Sequence, residues 1–114
     1  MDKARRFALP DAARIKTGKE FSLIRKRGRL YRTPHFLVYT LKNPSGQGRL
    51  GLTVSRKVGN AIRRNRVKRV LRECFRLYLR HQVGGYDVSI IARPGAHLLS
   101  LAQVLEEMQG RFGG

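Results

Sequence analysis

The chain has 114 residues, room for one domain and not for two. Hydrophobic residues make up 41% of it, which fills one modest core and excludes a wholly disordered tail. Lys and Arg total 25 against 7 Asp and Glu, a net charge of +18, so a polyanion is expected to relieve the self-repulsion: nucleic acid first, an anionic membrane surface second.

Residues 1–16 are basic and irregular, and Pro10 prevents a continuous helix there. They read as an N-terminal arm, partly tied down and loosely ordered over 1–13. Thr17 and Glu20 have the spacing of a capping box, which opens a helix running to about Arg27 with Gly28 as its stop. Phe21 and Ile24 share a face of that helix, with Leu23 beside them. Short strand-like runs follow. Arg29 to Arg32 is the first. In His35 to Leu41, Phe36 and Val38 point to one side and Leu37, Tyr39 and Leu41 to the other. Apolar groups on both faces predict that both are at least partly covered. Asn43-Pro44-Ser45-Gly46 is a turn signal. The third run, Arg49 to Lys57, sets Leu50, Leu52 and Val54 on one face. Its other face, Gly51, Thr53, Ser55 and Lys57, is small and polar and suits a groove.

Asn60 is a good N-cap for a helix from about Ala61 to Arg80. Val67, Val70, Leu71, Cys74, Phe75 and Tyr78 form its apolar stripe. Asn65, Lys68, Arg69, Arg72, Arg76 and Arg80 lie opposite, and Arg63, Arg64 and Arg66 surround the first turn. Tyr86 to Ala92 reads as a strand buried on both sides. A final helix starts near Ser100 and carries Leu101, Val104, Leu105 and Met108. The order helix, three strands, helix, strand, helix defines an α+β domain spanning 1–114.

Charged helix faces are commonly just solvated, but such faces mix signs to gain i,i+4 pairs. Between Arg56 and Arg80 stand ten Lys or Arg and one acid, Glu73. That pattern points to phosphate, bound with release of condensed counterions. Single-stranded bases additionally need aromatic platforms. Tyr39 is the best candidate, and Phe21 could flank it or simply pack in the core.

The scattered acids give no clustered carboxylates for two-metal hydrolysis. His35, His81 and His97 are separate in sequence and read as structural or surface residues. Cys74 cannot pair within the chain and reads as a small core residue of a reduced, cytoplasmic protein. No apolar run approaches the roughly 20 residues of a membrane span, and no apolar h-region follows the basic N-terminus, so a secretory signal is not expected.

The segment from Arg56 to Arg69, Arg-Lys-Val-Gly-Asn-Ala-Ile-Arg-Arg-Asn-Arg-Val-Lys-Arg, resembles the bacterial ribonuclease P protein component, with Arg64-Asn65-Arg66 matching the family's Arg-Asn-Arg signature. Arg72-Glu73-Cys74-Phe75-Arg76, Gly51-Leu52-Thr53-Val54-Ser55, Phe36-Leu37-Val38-Tyr39 and Ile90-Ile91-Ala92-Arg93 extend the match over about residues 14–112.

The resemblance implies a mixed sheet with helices packed on it, like the second domain of ribosomal protein S5, and a left-handed β-α-β crossover where general rules predict a right-handed one. It implies a subunit of a holoenzyme whose RNA hydrolyses the 5′ leader from precursor tRNA. No catalytic residue is expected in this chain. The required magnesium is held mainly by the RNA, with no metal assigned to the protein. Arg63, Arg64, Asn65, Arg66 and Arg69 would bind the catalytic RNA. Phe21, Leu37, Tyr39, Lys57, Lys68 and Arg72 would bind the precursor-tRNA leader. The family's frequent second aromatic, four residues after the first, is Arg25 here. Partners are therefore the catalytic RNA and precursor tRNA, with no membrane and no obligate protein partner. The rival reading is a ribosomal-type protein that binds structured rRNA without a part in cleavage. A membrane-active cationic helix fits less well, because its apolar stripe is needed for the core.

Overall fold

The computed structural model describes residues 9–109. Thr17 caps the first helix, α1 (Gly18–Arg27), its hydroxyl accepting from the Glu20 N–H at 3.2 Å. Gly28 ends α1 for lack of room: a Cβ there would stand 2.4 Å from the Ile24 carbonyl oxygen and 2.7 Å from that of Thr40. Strands β1 (Arg29–Arg32), β2 (Phe36–Lys42) and β3 (Arg49–Thr53) follow. Helix α2 (Ala61–Cys74) begins on Asn60, whose Oδ1 accepts from the Arg63 N–H at 3.0 Å, and runs on as a π-helical segment, Phe75–Leu79. Strand β4 (Tyr86–Ala92) and helix α3 (Leu101–Met108) complete the chain, α3 opening on a full capping box between Ser100 and Gln103.

The sheet has the order β1-β2-β4-β3, with β3 and β4 parallel and the other pairs antiparallel. It is a mixed sheet, as expected, with α2 as the crossover between β3 and β4. Central β4 is buried almost throughout. The main core lies on one face: Phe36, Val38, Leu50, Val88 and Ile90 meet Val67 and Leu71 of α2, Phe75 and Leu79 of the π-helical segment, and Val104 and Met108 of α3. Cys74 is buried among them, and burial pushes its thiol up to about 11. On the other face α1 lies across the sheet and buries Ile24. No helix among the described residues is long and apolar enough to cross a membrane.

Three expectations need correction. The arm expected to be loose over 1–13 is packed from residue 9: Leu9 and Ala13 are buried, Asp11–Ala13 form a 3₁₀ turn, and the Ile15 N–H bonds the Leu50 carbonyl at 3.0 Å. The open edge of β3 supplies that pairing, and the core supplies the apolar seats. Residues 1–8 lie outside the described part. The third strand stops at Thr53 rather than Lys57, because Ser55 turns the chain, its hydroxyl accepting from the Lys57 N–H and its carbonyl from that of Val58. Tyr78 is 46% exposed instead of sharing the apolar stripe. There the Arg80 N–H reaches the Phe75 carbonyl, an i→i+5 bond that widens the turn and rotates Tyr78 outward while Phe75 and Leu79 stay inside.

Candidate nucleic-acid interface

The sheet face under α1 can be read from the strand register. Tyr39 lies opposite Ser89, and Ser89 opposite Gly51, so these three form one row across β2, β4 and β3. Leu37, Ile91 and Thr53 form the next row. Ser89 is fully buried and small, which lets α1 approach. Phe21 covers the bare backbone of Gly51. Leu37 and Tyr39 remain half-exposed.

Around the β3 edge this face opens into a cavity of about 380 Å³. Phe21 and Gly51 form part of it, Lys68 and Arg72 reach it from α2, and Arg14, Ile15 and Lys16 reach it from the arm. No carboxylate lines it. Burial, and after it the nearby Arg14 cation, presses the Arg72 guanidinium below its ordinary range. A phosphate placed between Arg14 and Arg72 would relieve that repulsion. Of the six residues the resemblance assigned to the leader, Phe21, Lys68 and Arg72 line the cavity. Leu37 and Tyr39 stand on the neighbouring sheet surface, and Lys57 sits exposed in the turn after β3. Arg14 and Lys16 were missed, since an arm treated as loose has no fixed address. Pairing with β3 is what brings them in.

A triad of charges anchors α1 over this face. Arg49 grips Asp87 with two bonds, at 2.7 and 2.8 Å, and reaches Glu20 at 2.8 Å. These bonds hold the Arg49 proton more firmly than usual, first through Asp87. Two of the acids in this acid-poor chain are thereby committed to its own scaffold.

Helix α2 divides its cations between two flanks. Lys68 and Arg72 stand at i,i+4 spacing and line the cavity. Arg66 leans the other way, donating from Nε to the His97 carbonyl at 3.0 Å and from Nη2 to the Leu99 carbonyl at 3.2 Å. Arg63, Asn65 and Arg69 are exposed, and Arg64 is half-buried. The signature thus contains one strut, Arg66, which the charge pattern alone does not reveal. No three His, Cys, Asp or Glu among the described residues assemble as a metal site.

Mixed sheet, arginine-rich crossover helix and acid-free cavity define a small basic α+β domain built around one open sheet face. The sequence profile of the Ribonuclease P family matches residues 9–113. The ribonuclease P protein component of Desulfovibrio desulfuricans is 43% identical over 108 residues, covering 91% of this chain and 83% of the relative. That of Exiguobacterium is 41% identical over 99 residues, covering 87% and 86%. Among solved structures, the RNase P protein of Staphylococcus aureus superposes with a TM-score of 0.76 at 36% identity, covering 87% of this chain and 91% of that one. The RNase P protein from Thermotoga maritima gives 0.78 at 32%, covering 88% and 94%. The chain belongs to the ribonuclease P protein family, whose members are protein components of the ribonuclease P holoenzyme.

Proposed function

We propose that this chain binds the catalytic RNA of ribonuclease P through Arg63, Arg64, Asn65, Arg66 and Arg69, and holds the single-stranded 5′ leader of precursor tRNA on the sheet face beside α1. The observation that carries this reading is the acid-free cavity, where Phe21 meets Lys68, Arg72 and Arg14. The cations neutralise leader phosphates, and each neutralised phosphate releases about one condensed counterion. Phe21, Leu37 and Tyr39 offer apolar surface to unstacked bases, which duplex RNA does not present. The protein thereby raises the affinity of the holoenzyme for precursor over mature tRNA, since only the precursor has a leader. Bond cleavage and the magnesium it needs stay with the RNA.

The test combines this protein with a bacterial ribonuclease P RNA at low magnesium and follows a precursor tRNA. The expected result is cleavage at the mature 5′ end where neither component alone cuts. RNA binding without stimulated cleavage would favour the ribosomal-type alternative.

A further inference from the structure

Two apolar side chains stand in water where the fold does not need them. Ile62 is 79% exposed and Leu98 75%, the two most exposed large hydrophobic residues of the described chain. They come from distant parts of the sequence. Ile62 lies one turn before Arg66 on the same side of α2. Arg66 bonds the carbonyls of His97 and Leu99, those on either side of Leu98. Its guanidinium therefore holds the Leu98 loop beside the Ile62 turn. That loop is itself fixed: Ala96 is buried, the Leu98 N–H bonds the Gly95 carbonyl at 3.1 Å, and the Leu99 N–H bonds that of Ala96 at 3.2 Å. Leu98 is thus presented outward by an ordered turn.

The surroundings select the occupant. Exposed Arg63, Arg66 and Arg69 rim the pair on α2. A second copy of a chain carrying +18 would meet this rim with like charge. Two isolated aliphatic groups are also too narrow a face for a lipid surface. An unstacked nucleobase fits: it has an apolar face for Ile62 and Leu98, and its phosphates reach the arginine rim. We infer that Ile62 and Leu98, braced by Arg66, form an apolar seat for an unpaired base of the catalytic RNA. This deepens the proposed function and rests on it. The seat lies about 80–120° around α2 from Arg72 and Lys68, so the two RNAs meet adjoining flanks of one helix.

The experiment measures binding of ribonuclease P RNA across a salt series for the full chain and for the double variant Ile62→Asn/Leu98→Asn. The variant is expected to bind about tenfold more weakly at every salt concentration, the order given by losing the cover that a base lays over about 30 Å² of each aliphatic side chain. Its log–log salt slope should match the parent's, because a lost apolar contact releases no counterions. The apolar variant Ile62→Leu/Leu98→Met should bind like the parent. Both sites are exposed, so melting temperatures should stay within a few degrees. Affinity within twofold of the parent in the Asn variant, or a loss accompanied by a changed slope, overturns the seat. Failure of the unaltered protein to bind the RNA would instead overturn the underlying function.

Discussion

The ring of Phe21 lies against the backbone of Gly51, so close that a Cβ at residue 51 would stand 2.5 Å from Cε1 and 2.6 Å from Cζ. The polar, small-sided face of β3 that looked like a groove is thus half filled by α1, and the remaining opening is the cavity. Gly51→Ala must push Phe21 outward or tilt α1. The expected result is a loss of about 1–3 kcal/mol in stability, with several-fold weaker binding of precursor tRNA to the holoenzyme and little change for mature tRNA. Urea melts of the free protein and paired binding titrations check both parts.

Tyr39 tests the leader reading more directly. Its side chain stands in the same sheet row as Gly51, half-exposed, and is not part of the main core. Tyr39→Ala should weaken precursor binding by about 1–3 kcal/mol, the usual worth of one stacked base, and leave mature tRNA binding nearly unchanged. Equal losses for both RNAs would show that the effect runs through folding or through the catalytic RNA.

The two arginines Arg66 and Arg69 look equivalent in the sequence and are not equivalent in the structure. Both are exposed, but Arg66 makes two charge-assisted bonds to loop carbonyls. Arg66→Ala should destabilise the free protein by about 1–3 kcal/mol and also weaken assembly with the catalytic RNA. Arg69→Ala should leave the melting curve alone and reduce the salt slope of RNA binding by about one. Calorimetry on the free variants, followed by salt-dependent titrations, separates the strut from the phosphate ligand.

These contrasts show where the sequence is legible. Thr17 with Glu20, Asn60 with the stripe after it, and the alternation of Phe36 to Leu41 each carry a local cause, and the elements form where those causes place them. Features set by distant partners are hidden. Nothing near Arg66 announces the carbonyls of residues 97 and 99. Arg14 and Lys16 enter the cavity only because Ile15 pairs with Leu50. The outward turn of Tyr78 follows from a π-helical segment that a fixed 3.6-residue period cannot represent. The cationic character of the site was therefore readable, while its division into a cavity flank, the Arg66 strut and the exposed pair Ile62 and Leu98 needed the tertiary contacts.

His35, one of three histidines that do not cluster in sequence, closes the fold with Glu107. The Glu107 carboxylate accepts from the Thr33 hydroxyl at 2.7 Å and the His35 N–H at 3.0 Å, and its other oxygen meets His35 Nδ1 at 2.6 Å. Partial burial alone would raise the Glu107 carboxyl, but the bonds from Thr33 and His35 outweigh it and hold the group below its ordinary value. A depressed carboxyl binds fewer protons folded than unfolded. Its stabilisation is therefore full above the unfolded value of about 4.3 and is lost as pH falls through the lower folded value. Glu107→Gln removes this term, so its acid limb of stability against pH should be flatter than the parent's below about pH 5. Near neutrality the variant should be less stable by about 1–3 kcal/mol, because α3 loses its charged tie to the turn between β1 and β2. Urea melts at stepped pH read both effects. A parallel offset at every pH would mean that Glu107 acts by shape alone and that its charge contributes nothing.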